Sequence, residues 1–304
     1  MKNWRHIIQR WLPMAHYEVN PFARGSAWSH VELLIRSVFW ALMAFLVYAW
    51  LMVILVDVLD WFAPFAVLEE QASYPAMMLF YFFGEALVLS PAPIENLQFV
   101  LLAWSAAFSL CLAIYSWLRK DTWGGTVFLL LSLGLALMYL NDAFNYRHDL
   151  VTTVLWHLYG PDRPPRGNVV SIIVEILFYA FIAIFMLGAT VLWLRHCRKT
   201  KRIVHFGLVA FGAYFVASVG SATRHIGSWY DRWGIVIGSF FPDHFREKIQ
   251  ELPFPQSRHT GPKEFWIIDW WFEETIEYIG AAAFFVFVML NVLLIWHDRT
   301  KVHQ

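Results

Sequence analysis

Two stretches of this chain concentrate the side chains that could do chemistry. The first, MYLNDAFNYRHDL, carries Asp142, Asn145, His148 and Asp149. On a continuous helix, spacings of three and four set their carboxylate, amide and imidazole groups along one oblique stripe. The second, WWFEETIEYIGAAAFF, puts Glu273 and Glu277 on one face a turn apart, with Glu274 three residues before Glu277. Two further segments add to these. Glu175 lies six residues past Val169, about 9 Å down a helix, and SVGSATRHIGSWY lines up Ser218, Ser221 and His225.

Imidazole and carboxylate groups on facing helices are what a Zn, Mn or Fe site uses. On this reading His148, Asp149, Glu175, His225, Glu273 and Glu277 are candidate metal ligands. Asp142 is a general base or an orienting residue, and Glu274 is a catalytic carboxylate that could also ligate the metal. Each has a plainer role beside the chemical one. Glu175, Glu274 and Glu277 could pair with Arg147 or Arg224, His148 and His225 could be hydrogen-bonded interfacial histidines, and Asp142 and Asp149 could be solvated surface charges. The Glu-x-x-His spacing of ferritin-like di-iron proteins is absent, so the metal expectation rests on clustering.

These residues need helices to position them, and composition says the helices sit in lipid. Hydrophobic residues make up 59% of the 304, charged residues only 15%, and mean hydropathy is +0.50. Six runs reach the 20 or so apolar residues that cross a hydrocarbon core: 33 to 56, 97 to 118, 124 to 141, 169 to 194, 203 to 222 and 274 to 296. With the N-terminus inside, every short inner segment is basic: Lys2 to Arg24, Arg119 and Lys120, Arg195 to Arg202, then Arg299 and Lys301. That satisfies the positive-inside rule. The expected fold is therefore an all-α polytopic bundle with both termini cytoplasmic in a bacterial inner membrane. Asp142, His148, Glu175, His225, Glu274 and Glu277 then all emerge on the outer side. A carboxylate at membrane depth costs roughly 2.5 to 3.5 kcal/mol on insertion scales, which favours a shared cation.

A seventh run, 74 to 90, contains Glu85 between Pro75 and Pro91 and reads as a re-entrant or interfacial segment; as a full span it would move two basic clusters outside. Residues 1 to 32 form a cytoplasmic segment in which Trp4, Ile7, Ile8, Trp11 and Leu12 outline a basic amphipathic helix on the inner leaflet or against the protein's own loops. No cleavage pattern follows the first apolar run, so the mature chain is expected to start at Met1. The transmembrane domain is 33 to 297, with 57 to 96 and 223 to 272 as outer loops or lids. Cys111 and Cys197 provide no disulfide framework. There is no basic patch for nucleic acid, and no internal repeat of the transporter kind.

Asp142, five residues, His148 and Asp149, together with Glu273, Glu274, Glu277 and Gly280, resemble a group of uncharacterised bacterial multi-pass membrane proteins that read D-E-x5-H-E and later E-E-x-x-E-x-x-G. Here Ala143 replaces the first glutamate of the first motif and Asp149 the second, which keeps the acid at one position and loses it at the other. The resemblance implies that both motifs belong to one site, and it carries no activity. Membrane hydrolases of the ceramidase and adiponectin-receptor type use an H-x-x-x-H in the last helix that has no counterpart here.

Four functions fit these residues. One is a metal-dependent enzyme acting on a lipid or other amphipathic substrate at the outer leaflet. A second is a non-enzymatic subunit, sensor or assembly factor that binds a membrane protein partner. The others are ion or proton translocation through Glu175 and Glu277, and b-type haem held between His148 and His225.

Overall fold

A computed structural model describes residues 27 to 302, apart from 53, 55 to 92, 145, 163, 165 to 167, 198, 199, 225, 227, 252 to 260, 263 and 266. The basic N-terminal segment and the 74 to 90 run thus lie outside the described residues. The described residues are helical and contain no strand. Six helices are long and apolar enough to cross a membrane. They are α1 (Ala27–Met52), α2 (Pro93–Leu118), α3 (Thr122–Phe144), α5 (Val169–His196), α6 (Lys201–Thr223) and α9 (Glu274–Val302), the last preceded by a π-helical turn, Ile267–Glu273. The described residues also form the shorter helices α4 (Tyr146–Tyr159), α7 (Trp229–Gly238) and α8 (Asp243–Glu251), and a 3-10 turn, Gly160–Asp162. The protein is an integral membrane protein of the all-α, multi-pass kind.

Local chemistry explains where the helices begin. Asn168 caps α5 by accepting from the backbone N–H groups of Val170 and Ser171 at 2.9 and 3.1 Å. Thr200 caps α6 through the N–H of Ile203. The bundle is built around α9. Its residues Ala281, Ala282, Ala283, Phe284, Val286 and Phe287 are almost wholly buried, and α1, α2 and α6 pack on it. α3 lies between α2 and α5. The outward faces of α1, α5 and α6 expose Leu34, Trp40, Val47, Leu177, Ile184, Leu208 and Phe215, as lipid requires.

Side-chain ties set the helix directions. At one end Glu32 of α1 is bonded to Arg202 at the start of α6, and the Trp28 ring meets His297 near the end of α9, centroids 5.5 Å apart. At the other end the Trp50 indole donates to Thr275 at 2.9 Å, and Gln98 of α2 reaches Glu277 at 3.0 Å. α1 therefore ends, and α2 begins, at the same face.

Helix is described up to Phe144 and again from Tyr146, and Asn145, in the stripe from Asp142 to Asp149, lies outside the described residues. One expectation shifts. The last span begins at Ile267, seven residues before Glu274, because the π turn carries Ile267 and Ile268 into the interior.

Over this same end lie α7 and α8. Tyr230 is buried between Trp229 and Phe265, and Phe245 is buried against Ile267. Gly234 permits the approach of α7, since a Cβ there would meet the Glu264 carbonyl oxygen at 2.2 Å. The outward side of this layer exposes Trp233, Ile235, Val236 and Phe240.

Candidate functional site

At the end of the bundle where α2, α6 and α9 meet α3, the amide nitrogen of Gln98 donates to two carboxylates. It reaches Asp142 Oδ2 at 3.1 Å and Glu277 Oε2 at 3.0 Å. Asn141 donates to the other oxygen of Asp142 at 2.9 Å. Gln98 is fully buried and Glu277 nearly so, while Asp142 and Glu274 are partly open. Glu274 lies within electrostatic reach of Glu277, Glu95, Asp142 and Glu273.

Tyr214 on α6 closes the site. Its ring lies on Gly280, where a Cβ would come within 2.5 Å of Tyr214 Cδ2. The glycine of the E-E-x-x-E-x-x-G motif therefore has a packing reason: it makes room for this ring. Asp142, Glu277 and Glu274 lie within electrostatic reach of Tyr214, whose hydroxyl is buried without a hydrogen-bond partner. The carbonyl oxygen of Gln98 is in the same condition.

Two buried arginines stand beside the carboxylates. Arg147 on α4 donates from Nη1 to the hydroxyls of Tyr179 and Ser221 and lies over the Tyr179 ring. Its charge is felt by Asp142, Glu273 and Glu277. Arg224, just past the end of α6, bonds Asp269 at 3.1 Å and Glu175 at 3.4 Å. Burial works against the Arg224 charge, but Asp269, Glu175 and Glu273 outweigh it and hold its proton more firmly than usual. Glu273 accepts from the Tyr230 hydroxyl at 2.9 Å. Burial, and then the Glu273 charge, push the Tyr230 phenol well above its ordinary range.

The candidates thus separate. Asp142, Glu274 and Glu277 come together, with Glu273 at their edge. Glu175 is taken up by Arg224 in the ion pair that was its plainer reading. His148 presents Nε2 to Arg147 Nη2 at 3.4 Å, and Asp149 is exposed. His225 lies outside the described residues. Among the described residues no three His, Cys, Asp or Glu side chains are arranged to hold a metal ion. The carboxylates converge as a pair, on the Gln98 nitrogen.

Gln98, Tyr214 and Asp269 are functional candidates that the sequence did not single out. An amide in the otherwise apolar run of α2, one turn after Glu95, was a readable signal. Tyr214 had none, being one aromatic among several in α6. Comparison with models of protein families, with curated proteins and with solved structures finds no match.

Proposed function

We propose that this protein is a metal-dependent membrane enzyme whose centre, formed by Asp142, Glu274 and Glu277 at one membrane face, acts on a lipid or other amphipathic substrate. The observation that carries the reading is charge. Among the described residues, the carboxyl groups of Asp142, Glu175, Asp269, Glu273, Glu274 and Glu277, with Glu95 in electrostatic reach of Glu274, share this end of the bundle with the guanidinium groups of Arg147 and Arg224. Arg224 accounts for Glu175 and Asp269. The remaining carboxylates exceed their fixed counter-charge in a low-dielectric setting, which a cation relieves.

A bound metal would activate water or polarise a substrate oxygen. Asp142 is oriented by hydrogen bonds from two amides, and the partly open Glu274 is the carboxylate left to take a proton. The exposed aromatic and aliphatic residues of α7 suit a substrate delivered along the membrane interface. On the positive-inside rule, this face is the periplasmic side of a bacterial inner membrane.

Metal analysis by mass spectrometry, on protein purified in mild detergent without chelators, tests the reading. About one metal ion per chain is expected, lost in Glu277→Gln protein that still elutes as a folded species. A metal-free wild type that also takes up no added divalent cation would discard the enzyme mechanism. It would favour the partner-binding reading, for which the same exposed surface of α7 is available.

A further inference from the structure

The donor atoms at the centre say more than that a metal could bind. Asp142 and Glu277 direct one oxygen each at a single point, now held by the Gln98 nitrogen. The Gln98 carbonyl on the same amide has no partner, nor has the Tyr214 hydroxyl within electrostatic reach of both carboxylates; the two residues are 0% and 6% exposed. Buried polar atoms of this kind are uncommon, because leaving them unsatisfied forfeits their interaction with water. All four groups offer oxygen. The one described histidine nearby is on α4 and is turned to Arg147.

We infer that Asp142, Glu277, the Gln98 carbonyl and the Tyr214 hydroxyl form an all-oxygen seat for a hard divalent cation of the magnesium or manganese class, with the Gln98 amide holding the place when the seat is empty. This deepens the reading above and rests on it. Two carboxylates balance a divalent charge. One or two carboxylates with neutral oxygens and retained water are how such ions are bound, whereas zinc prefers nitrogen and sulfur. Rotating the Gln98 amide about its last bond turns its oxygen toward the two carboxylates in place of its nitrogen, so an ion lying among these oxygens is held without moving a helix. Glu274 lies within electrostatic reach of Asp142 and Glu277 and is partly open to solvent.

The test is titration of detergent-purified protein with Mn(II), followed by loss of the free-ion paramagnetic resonance signal. Wild type, Tyr214→Phe, Gln98→Leu and His148→Ala proteins are compared, and thermal unfolding is run with and without the ion. Wild type is expected to bind about one Mn(II). Tyr214→Phe and Gln98→Leu should weaken binding roughly 10- to 100-fold, the range for groups that orient or complete a metal site; His148→Ala should leave it unchanged. Since the Tyr214 hydroxyl has no partner to lose, Tyr214→Phe without ion should unfold no earlier than wild type, yet gain less from the ion. Unchanged binding in both Tyr214→Phe and Gln98→Leu, or binding abolished by His148→Ala, would overturn this seat and leave a metal-dependent enzyme standing. No Mn(II), Mg(II) or Zn(II) binding by wild type would remove both.

Discussion

Arg224 is buried between Glu175 and Asp269, so its removal strands two acids at the end of the bundle. Breaking a buried pair from one side costs about 3 to 5 kcal/mol. Arg224→Leu is therefore expected to lose about that much in a reversible unfolding titration in mixed micelles. Adding Glu175→Gln and Asp269→Asn should restore much of it; a triple variant as unstable as the single would mean that packing of the guanidinium, not its charge, matters. Tyr230 makes a second residue-level prediction. Its folded-state pKa is raised, so its contribution is fully present below the unfolded value of about 10 and is lost as pH climbs beyond it. Wild type should lose more stability than Tyr230→Phe between neutral pH and about pH 11, measured by unfolding across that range. The acids and arginines of this network were legible in the sequence because charge in an apolar run is conspicuous. Which acid takes which arginine was not, since Glu175 and Arg224 sit on different helices and meet only through the packing of α5 and α6.

At the level of elements, the contact between α6 and α9 depends on a glycine. A methyl group at Gly280 would press on Tyr214 Cδ2 and Cε2 and approach Ala213 Cβ at 3.3 Å. Gly280→Ala should therefore displace the Tyr214 ring, weaken cation binding about as much as Tyr214→Phe does, and cost about 1 to 3 kcal/mol in overpacking. Combining it with Tyr214→Ala should recover stability and not binding. A different consequence is expected of Gly234→Ala. Its Cβ would strike backbone atoms of Glu264 and Phe265, so α7 must lift away and limited proteolysis should cut within 223 to 272 sooner than in wild type. Hydrophobic run lengths located all six spanning helices, with ends displaced by at most seven residues, because span length is set by the bilayer. They could not show that Ile267–Glu273 winds as a π turn. That is a departure from regular hydrogen bonding that tertiary packing selects, and π turns occur often at functional sites. The turn leads directly into Glu274 and Glu277, so the register of the second acidic motif depends on it.

For the whole molecule, helix direction decides which compartment the centre faces. The Glu32 pairing with Arg202 and the Trp28 contact with His297 gather the start of α1, the start of α6 and the end of α9 at one face. Trp50 with Thr275, and Gln98 with Glu277, gather the opposite ends. This geometry fixes only which segments share a side. The proposed absolute direction comes from charge: Arg119, Lys120, Arg195, Lys201 and Arg202 belong to the face away from the carboxylates, and the positive-inside rule predicts that such a face is cytoplasmic. The sequence and the helix packing therefore answer two halves of one question, and a labelling experiment can separate them. With Cys111 and Cys197 replaced by serine, a single cysteine at Asp162 should react with a membrane-impermeant maleimide on intact spheroplasts. A cysteine at Arg119, across the membrane at the junction of α2 and α3, should react only after permeabilisation. The reverse pattern would keep the bundle and invert it, putting the proposed centre in reach of cytoplasmic substrates. Labelling of both positions from outside would contradict the packing itself, since α3 could not then cross the membrane between Thr122 and Phe144.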